Sequence, residues 1–273
     1  MKPDLKDILD LAKGCALKAG DLIKDLRDNQ NFTTNTKSND FDLVTTSDLK
    51  AEELIVNEIK KAFPTHLVMS EESYQSISSD KLNSESVWVI DPIDGTVNYA
   101  HGCLHVCVSI AYAYKGEVLV GVVYAPFLNE LFIGVKGQGA TLNDKAITVS
   151  KHTDLKDCLI STGFPYDRSK VIDILVGNIK ELLKRVGGIR RAGAAAIDLC
   201  WVACGRLGAH YEIKLCPWDV AAAKLIACEA GAKVGFLKGE VKDDHLPEDL
   251  KASNTLIAAP GIFEELQEIL QGE

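Results

Sequence analysis

The sequence predicts an α+β fold, and three observations predict it. A helical apolar pattern opens the chain, strand-like runs form a meander through its middle, and strands alternate with helices from residue 157 onward. The 273 residues suffice for one large domain or two closely packed halves. The change of pattern near residue 150 separates 1–150 from 151–273. No internal repeat, low-complexity tract or long linker intervenes, so the halves are expected to pack as one body.

Residues 4–28 carry Leu5, Ile8, Leu9, Ala12, Ala16, Ala19, Ile23 and Leu26 at helical spacing. The polar run NQNFTTNTKSND that follows has little to bury and reads as a mobile loop or a weak hairpin. Thr45, Thr46 and Ser47 supply caps for a second helix to about Ala62, closed by Pro64. Short strands are expected at 67–70 and 86–90. The meander spans 105–149, with turns at Lys115-Gly116 and Gly137–Gly139. The second half reads as strand 157–161, helix 171–185, strand 188–190, a small-residue helix 194–205 and strand 208–213. A helix at 217–230 stops at Gly231, and strands 233–236 and 255–258 and a helix 261–270 complete the chain.

Composition narrows the function. The chain is 47% hydrophobic and 25% charged, with net charge −9; its pI of about 5.2 argues against a nucleic-acid surface. The most apolar stretch, 104–135, is broken by Lys115, Gly116, Glu117 and Pro126, too early for a membrane span. The acidic start MKPDLKDILD shows no secretory signal, and a cytoplasmic location is expected. None of the eight cysteines forms a C-x-x-C pair. His101, Cys103, His105 and Cys107 alternate; on one strand face they could not converge on a tetrahedral zinc ion, so reduced thiols are the expectation.

Acidic residues are the stronger signal. Asp91 and Asp94 follow the apolar run VWVI, Glu71-Glu72 follow LVM, and Asp219 follows Pro217-Trp218. Asp48 falls in the first turn of the second helix. Taken singly, Asp48 and Asp219 read as ordinary first-turn acids, and Glu71-Glu72 as a solvated loop. Asp91-Pro-Ile-Asp94-Gly-Thr is harder to explain that way, because Pro92 fixes φ and Gly95 permits close backbone approach. Carboxylates without convergent His or Cys suit Mg²⁺, and backbone N–H groups at a helix start suit an oxyanion. Metal-assisted hydrolysis of a phosphate ester is the chemistry these parts permit. The Asp-x-x-Asp spacing does not fit the Asp-x-Asp of haloacid-dehalogenase phosphatases. An EF-hand loop also fails, since position three is Ile93 and position twelve Gly102.

WVIDPIDGTVNYAHG (88–102), CPWDVAAAKLIACEAGA (216–232), SEES (70–73) and DLVTTSD (42–48) together resemble the inositol monophosphatase family. That family lies within the lithium-sensitive, magnesium-dependent phosphomonoesterases. The resemblance covers nearly the whole chain and implies a layered αβαβα sandwich of the inositol monophosphatase and fructose-1,6-bisphosphatase type, usually a homodimer. It implies that Glu71, Asp91 and the carbonyl of Ile93 hold one Mg²⁺, and that Asp91, Asp94 and Asp219 hold a second. Asp48, Thr96 and Glu71 become the catalytic residues, the first two orienting the attacking water. Glu72 is supporting only. Gly95 and Thr96 would bind phosphate through their N–H groups. Lys37 matches a position near a weaker third metal, in a loop expected to order with metal or substrate. Substrate contacts fall on Asp94, Gly193, Ala194, Ala195 and Glu212, with Ala194 standing where some relatives have a hydroxyl residue.

An enzyme acting on inositol monophosphate or a similar small sugar phosphate is thus the leading expectation. Relatives act on fructose 1,6-bisphosphate, NADP, histidinol phosphate or 3′-phosphonucleotides. With only Lys214 and Arg190-Arg191 near Glu212, no basic cluster for a second phosphate is evident, which favours a monophosphate. The alternative of another class is a metal-loaded regulatory or binding protein.

Overall fold

The first helix forms because its apolar positions make one stripe. In α1 (Leu5–Asp28), capped by Asp4, the buried residues are Ile8, Ala12, Cys15, Ala16, Ala19, Gly20, Ile23 and Leu26. The structure, a computed structural model, describes residues 4–39, 42–237 and 243–272. The polar run becomes a hairpin of β1 (Thr34–Thr36) and β2 (Leu43–Thr45), paired antiparallel; Asp40, the last residue of that run, is outside the described residues. Thr45 then caps α2 (Thr46–Ala62), with Asp48 closing a capping box.

A seven-stranded sheet follows in spatial order β3 (Leu67–Ser70), β4 (Ser86–Asp94), β5 (Cys107–Tyr114), β6 (Glu117–Ala125), β7 (Glu130–Val135), β8 (Gly139–Leu142) and β9 (Lys145–Ala146). Only β3 and β4 are parallel, with a short α3 (Ser79–Leu82) between them in the chain; the others are the expected antiparallel meander. One face packs on α1 and α2, where Trp88, Ile90, Val108, Ile110 and Val122 meet Ile8, Ile23 and Ile55. The opposite face, carrying Val87, Val89, Ala111 and Val123, packs on α6 (Ala195–Ala203) and α7 (Pro217–Glu229).

These two helices form the middle layer, which is why they are apolar all round. Beyond them lies a second sheet in the order β11 (Gly188–Arg190), β10 (Leu159–Thr162), β12 (Ala209–Ile213), β14 (Asn254–Ala258) and β13 (Lys233–Phe236). Here β10 is parallel to both its neighbours, while β14 runs antiparallel to β12 and β13. The outer layer is α5 (Ile172–Leu182) and α8 (Phe263–Gln271), which bury Leu175, Leu182, Phe263, Leu266 and Leu270 against that sheet. The architecture is the αβαβα sandwich. Among the described residues, no helix is long and apolar enough to cross a membrane.

Two local expectations need correction. β4 runs four residues past the expected end at Ile90, through Asp94, with a register irregularity between Asp91 and Asp94. Pro92 is tolerated there because β3 pairs only as far as Ile90 and asks no N–H of it. Nor do His101, Cys103, His105 and Cys107 share a strand face. His101 ends a short helix, α4 (Thr96–His101), Gly102 reverses the chain at φ 82°, and only Cys107 belongs to β5.

Candidate metal centre and cleft

Alternation along β4 decides where its acids point. Val87 and Val89 face α7, so Asp91 faces the same way, and α7 brings Asp219 to meet it from its first turn. β3 pairs parallel with β4 and carries Glu71 to the same level just past its end. Oxygen atoms of Glu71, Asp91 and Asp219 lie within 4.8 Å of one another. They stand in a cleft of about 730 Å³ between the two sheets, lined also by Ile93, Asp94, Gly95 and Thr96.

Like charges at that distance are costly without a cation. Burial first, then the charges of Glu71, Asp94 and Asp219, hold the Asp91 carboxyl well above its ordinary range. Asp219 is raised by burial and by Glu71 and Asp94, although its Oδ2 accepts a 2.7 Å hydrogen bond from Cys216 N. Oxygen-only donors converging in this way fit a hard divalent cation.

Asp94 lies in the cleft but outside the tight trio. Its Oδ2 accepts from Ala196 N at 2.7 Å and lies 3.7 Å from Cys107 Sγ, and burial pushes the carboxyl up to about 7. Gly95 caps α4 at φ 92°, where a Cβ would stand 2.9 Å from the His105 carbonyl oxygen. Thr96 Oγ1 lies 3.0 Å from both Asp48 Oδ1 and the Ile93 carbonyl oxygen. Asp48 is 0% exposed and meets the cleft lining through Thr96. Its other oxygen accepts from Thr45 N and Oγ1, while burial raises its carboxyl above the ordinary value.

Lys37 Nζ sits 2.7 Å from Glu71 and 2.6 Å from Glu72, so its charge acts directly on the acidic pair. Burial and the neighbouring Glu71 push the Glu72 carboxyl up to about 7. A residue that sequence reasoning missed supports this end. Glu52, buried in α2, accepts from Ser70 Oγ and from Glu72 N at 3.1 Å, which fixes the backbone at Glu71-Glu72. Its signal in the sequence was only a helix acid one turn after Asp48.

Of the small residues, Gly193 and Ala195 line the cleft. Ala194 does not: it is 1% exposed, with its Cβ directed at Gly95, because it is the residue that turns the chain into α6. Glu212 reaches the cleft from β12. Of the basic residues expected near it, Arg191 and Lys214 line the cleft, and the loop after β10 adds one that was not expected. Arg168 joins Arg191 and Lys214 in the cleft wall, and Lys214 Nζ donates to the Asp167 carbonyl at 3.0 Å. Arg168 lies 46 positions before Lys214 in the sequence, and only the folded loop brings the two near each other.

Comparison with known proteins decides the family. The inositol monophosphatase family model matches residues 4–271. The chain belongs to the inositol monophosphatase family. Inositol monophosphatase 3 of Solanum lycopersicum is 40% identical over 233 residues, covering 84% of this chain and 86% of that protein. The Nus factor SuhB of Pasteurella multocida is 37% identical over 268 residues, covering 98% and 97%. A solved IMPase/NADP phosphatase with Mg²⁺ and phosphate superposes with TM-score 0.84 at 28% identity, covering 98% and 97%. Membership makes this chain one of a family of metal-dependent phosphatases, and the acidic trio is a cluster able to hold such a metal.

Proposed function

We propose that the chain is a Mg²⁺-dependent phosphomonoesterase that hydrolyses inositol monophosphate or a related small sugar phosphate by direct attack of water. The observation that carries this reading is the trio Glu71, Asp91 and Asp219, with oxygens within 4.8 Å of each other. Glu71, Asp91 and the Ile93 carbonyl would hold one Mg²⁺, and Asp91, Asp94 and Asp219 a second. When bound, the ions supply Lewis acidity toward phosphoryl oxygens and a water of lowered pKa. The buried Asp48 orients the Thr96 hydroxyl, and that hydroxyl, with Glu71, aligns the attacking water. The N–H groups of Gly95 and Thr96 hold phosphate. Glu212, Gly193 and Ala195 meet the sugar hydroxyls. In this division the first half of the chain carries most ligands, and the second carries Asp219 and the substrate wall. The relative with bound Mg²⁺ and phosphate supports the choice of ion. The family pattern further suggests a homodimer, which sedimentation would test, and inhibition by Li⁺.

The test is phosphate release from inositol 1-phosphate, fructose 1,6-bisphosphate, NADP and histidinol phosphate. Inositol 1-phosphate should be turned over fastest, only with Mg²⁺, and less in Li⁺. Undiminished activity in excess EDTA would sink the metal mechanism, and preference for another ester would replace the substrate. A regulatory reading draws support from relatives named Nus factor SuhB. Mg²⁺ binding without hydrolysis of any ester would favour it.

A further inference from the structure

We propose that His210 is a positioning residue for Glu212, and that a buried chain His105–Asp198–His210 aims the Glu212 carboxylate at substrate hydroxyls. The inference rests on the reading of Glu212 as a substrate contact.

His210 is 0% exposed. Its Nδ1 lies 2.9 Å from Ser161 Oγ on β10 and 3.7 Å from Asp198 Oδ2 on α6. Asp198, 1% exposed, lies with its other oxygen 3.0 Å from His105 Nε2, in the loop between α4 and β5. The ring is therefore held from one side by two elements. On the other side, Nε2 is buried and makes no hydrogen bond, yet it stands 3.4 Å from Glu212 Oε2. A buried donor without an acceptor is costly, and a shift of a few tenths of an ångström in Glu212 closes the bond.

Glu212 is confined from the opposite side as well. A Cβ on Gly163 would overlap both carboxylate oxygens, so the side chain lies flat against bare backbone. A glutamate normally has much rotamer freedom to lose on binding. Clamped between Gly163 and His210, this one is set before substrate arrives, which favours ligands presenting hydroxyls at that point. The charges agree. Burial lowers the basicity of His210, but Glu212, Asp198 and Asp94 more than offset it, so the ring pKa is raised. An imidazolium there counters the repulsion between Glu212 and the acidic centre, while β14 contributes only Ile257 beside it in register.

The experiment uses His210→Asn, which keeps a group at the Nδ1 position but removes the Nε2 arm, and His210→Gln, which restores a donor near Nε2. With Mg²⁺ present, His210→Asn should raise KM for inositol 1-phosphate roughly tenfold with kcat within about twofold. KM for phenyl phosphate, which has no hydroxyls, should stay within about twofold of the parent, and His210→Gln should recover most of the loss. The His210→Asn effect should vanish in a Glu212→Ala background. If Glu212→Ala raises KM and His210→Asn does not, the positioning role is wrong while the Glu212 reading stands. If Glu212→Ala leaves KM unchanged, both fall. Equal KM losses for the two esters would mean a general structural defect and overturn the proposal. Should His210→Asn fail to fold by circular dichroism, Asp198→Asn takes its place, and an unchanged KM there counts against the chain.

Discussion

Asp219 shows how one side chain serves two masters. As the third residue of α7 it closes a capping box with Cys216, which alone is worth about 0.3–1 kcal/mol at a helix start. Its carboxylate also belongs to the trio with Glu71 and Asp91. Asp219→Asn keeps an oxygen for Cys216 N and should preserve the fold. Removing that charge from the centre should lower Mg²⁺ affinity and cut kcat by roughly 10²–10³, by analogy with losing one oxyanion donor. Measured kcat against Mg²⁺ concentration decides the matter: an unchanged curve would leave Asp219 as a helix cap only. Glu52 is a quieter case. Glu52→Ala removes the acceptor for Ser70 Oγ and Glu72 N. Leaving the buried Ser70 hydroxyl and the half-buried Glu72 N–H unsatisfied should cost about 1–3 kcal/mol in urea unfolding and weaken Mg²⁺ binding. Normal Mg²⁺ affinity in that variant would confine Glu52 to stability.

Among the elements, α7 has the most exacting seat. It rests on Gly121 and Gly134, which face each other across β6 and β7. A Cβ on Gly134 would lie 2.9 Å from Ile226 Cα, and one on Gly121 would press into the Ala222 carbonyl. Bare backbone at both positions lets the helix approach the sheet closely, and this approach carries Asp219 to Asp91. Gly121→Ala should therefore destabilise by about 1–3 kcal/mol through overpacking. Because the helix must move away, Mg²⁺ affinity should fall too. Thermal unfolding and Mg²⁺ titration test the pair, and loss of stability with intact Mg²⁺ affinity would separate the seat from the site.

At the scale of the whole molecule, the acidic centre makes stability depend on pH and metal. The Asp94 carboxyl is raised by burial from an ordinary 3.8 to about 7, and Asp91 and Asp219 are raised with it. The folded chain therefore binds these protons more tightly than the unfolded chain does. The Asp94 contribution is fully present below about pH 4 and is lost as pH rises through about 7, and those of Asp91 and Asp219 are lost in the same direction as pH rises. A divalent cation compensates the ionised carboxylates, so the gain in Tm on adding Mg²⁺ should be larger at pH 8 than at pH 5. Thermal scans with Mg²⁺ and with EDTA at the two pH values check this. An equal gain at both would mean that the carboxylates titrate normally.

Much of this protein was legible from local pattern alone. Its periodicities located α1, α2, the meander and the alternating second half, because local pattern is what apolar spacing records. The sequence also identified Glu71, Asp91 and Asp219 as acids at element ends, and the four quoted motifs pointed to the family that the comparisons show. Alternation misled where it assumed a strand across His101–Cys107, since the left-handed turn at Gly102 breaks the pattern there. The rest came from long-range packing. Ala196 N meets Asp94 across 102 residues, and Lys37 meets Glu71 across 34. Glu52, Gly163, Arg168 and His210 acquire their surroundings from elements distant in the chain. Local periodicity carries no record of such pairings. They arise from how closely glycine-backed helices and sheets approach, and from what each buried polar group then finds within reach.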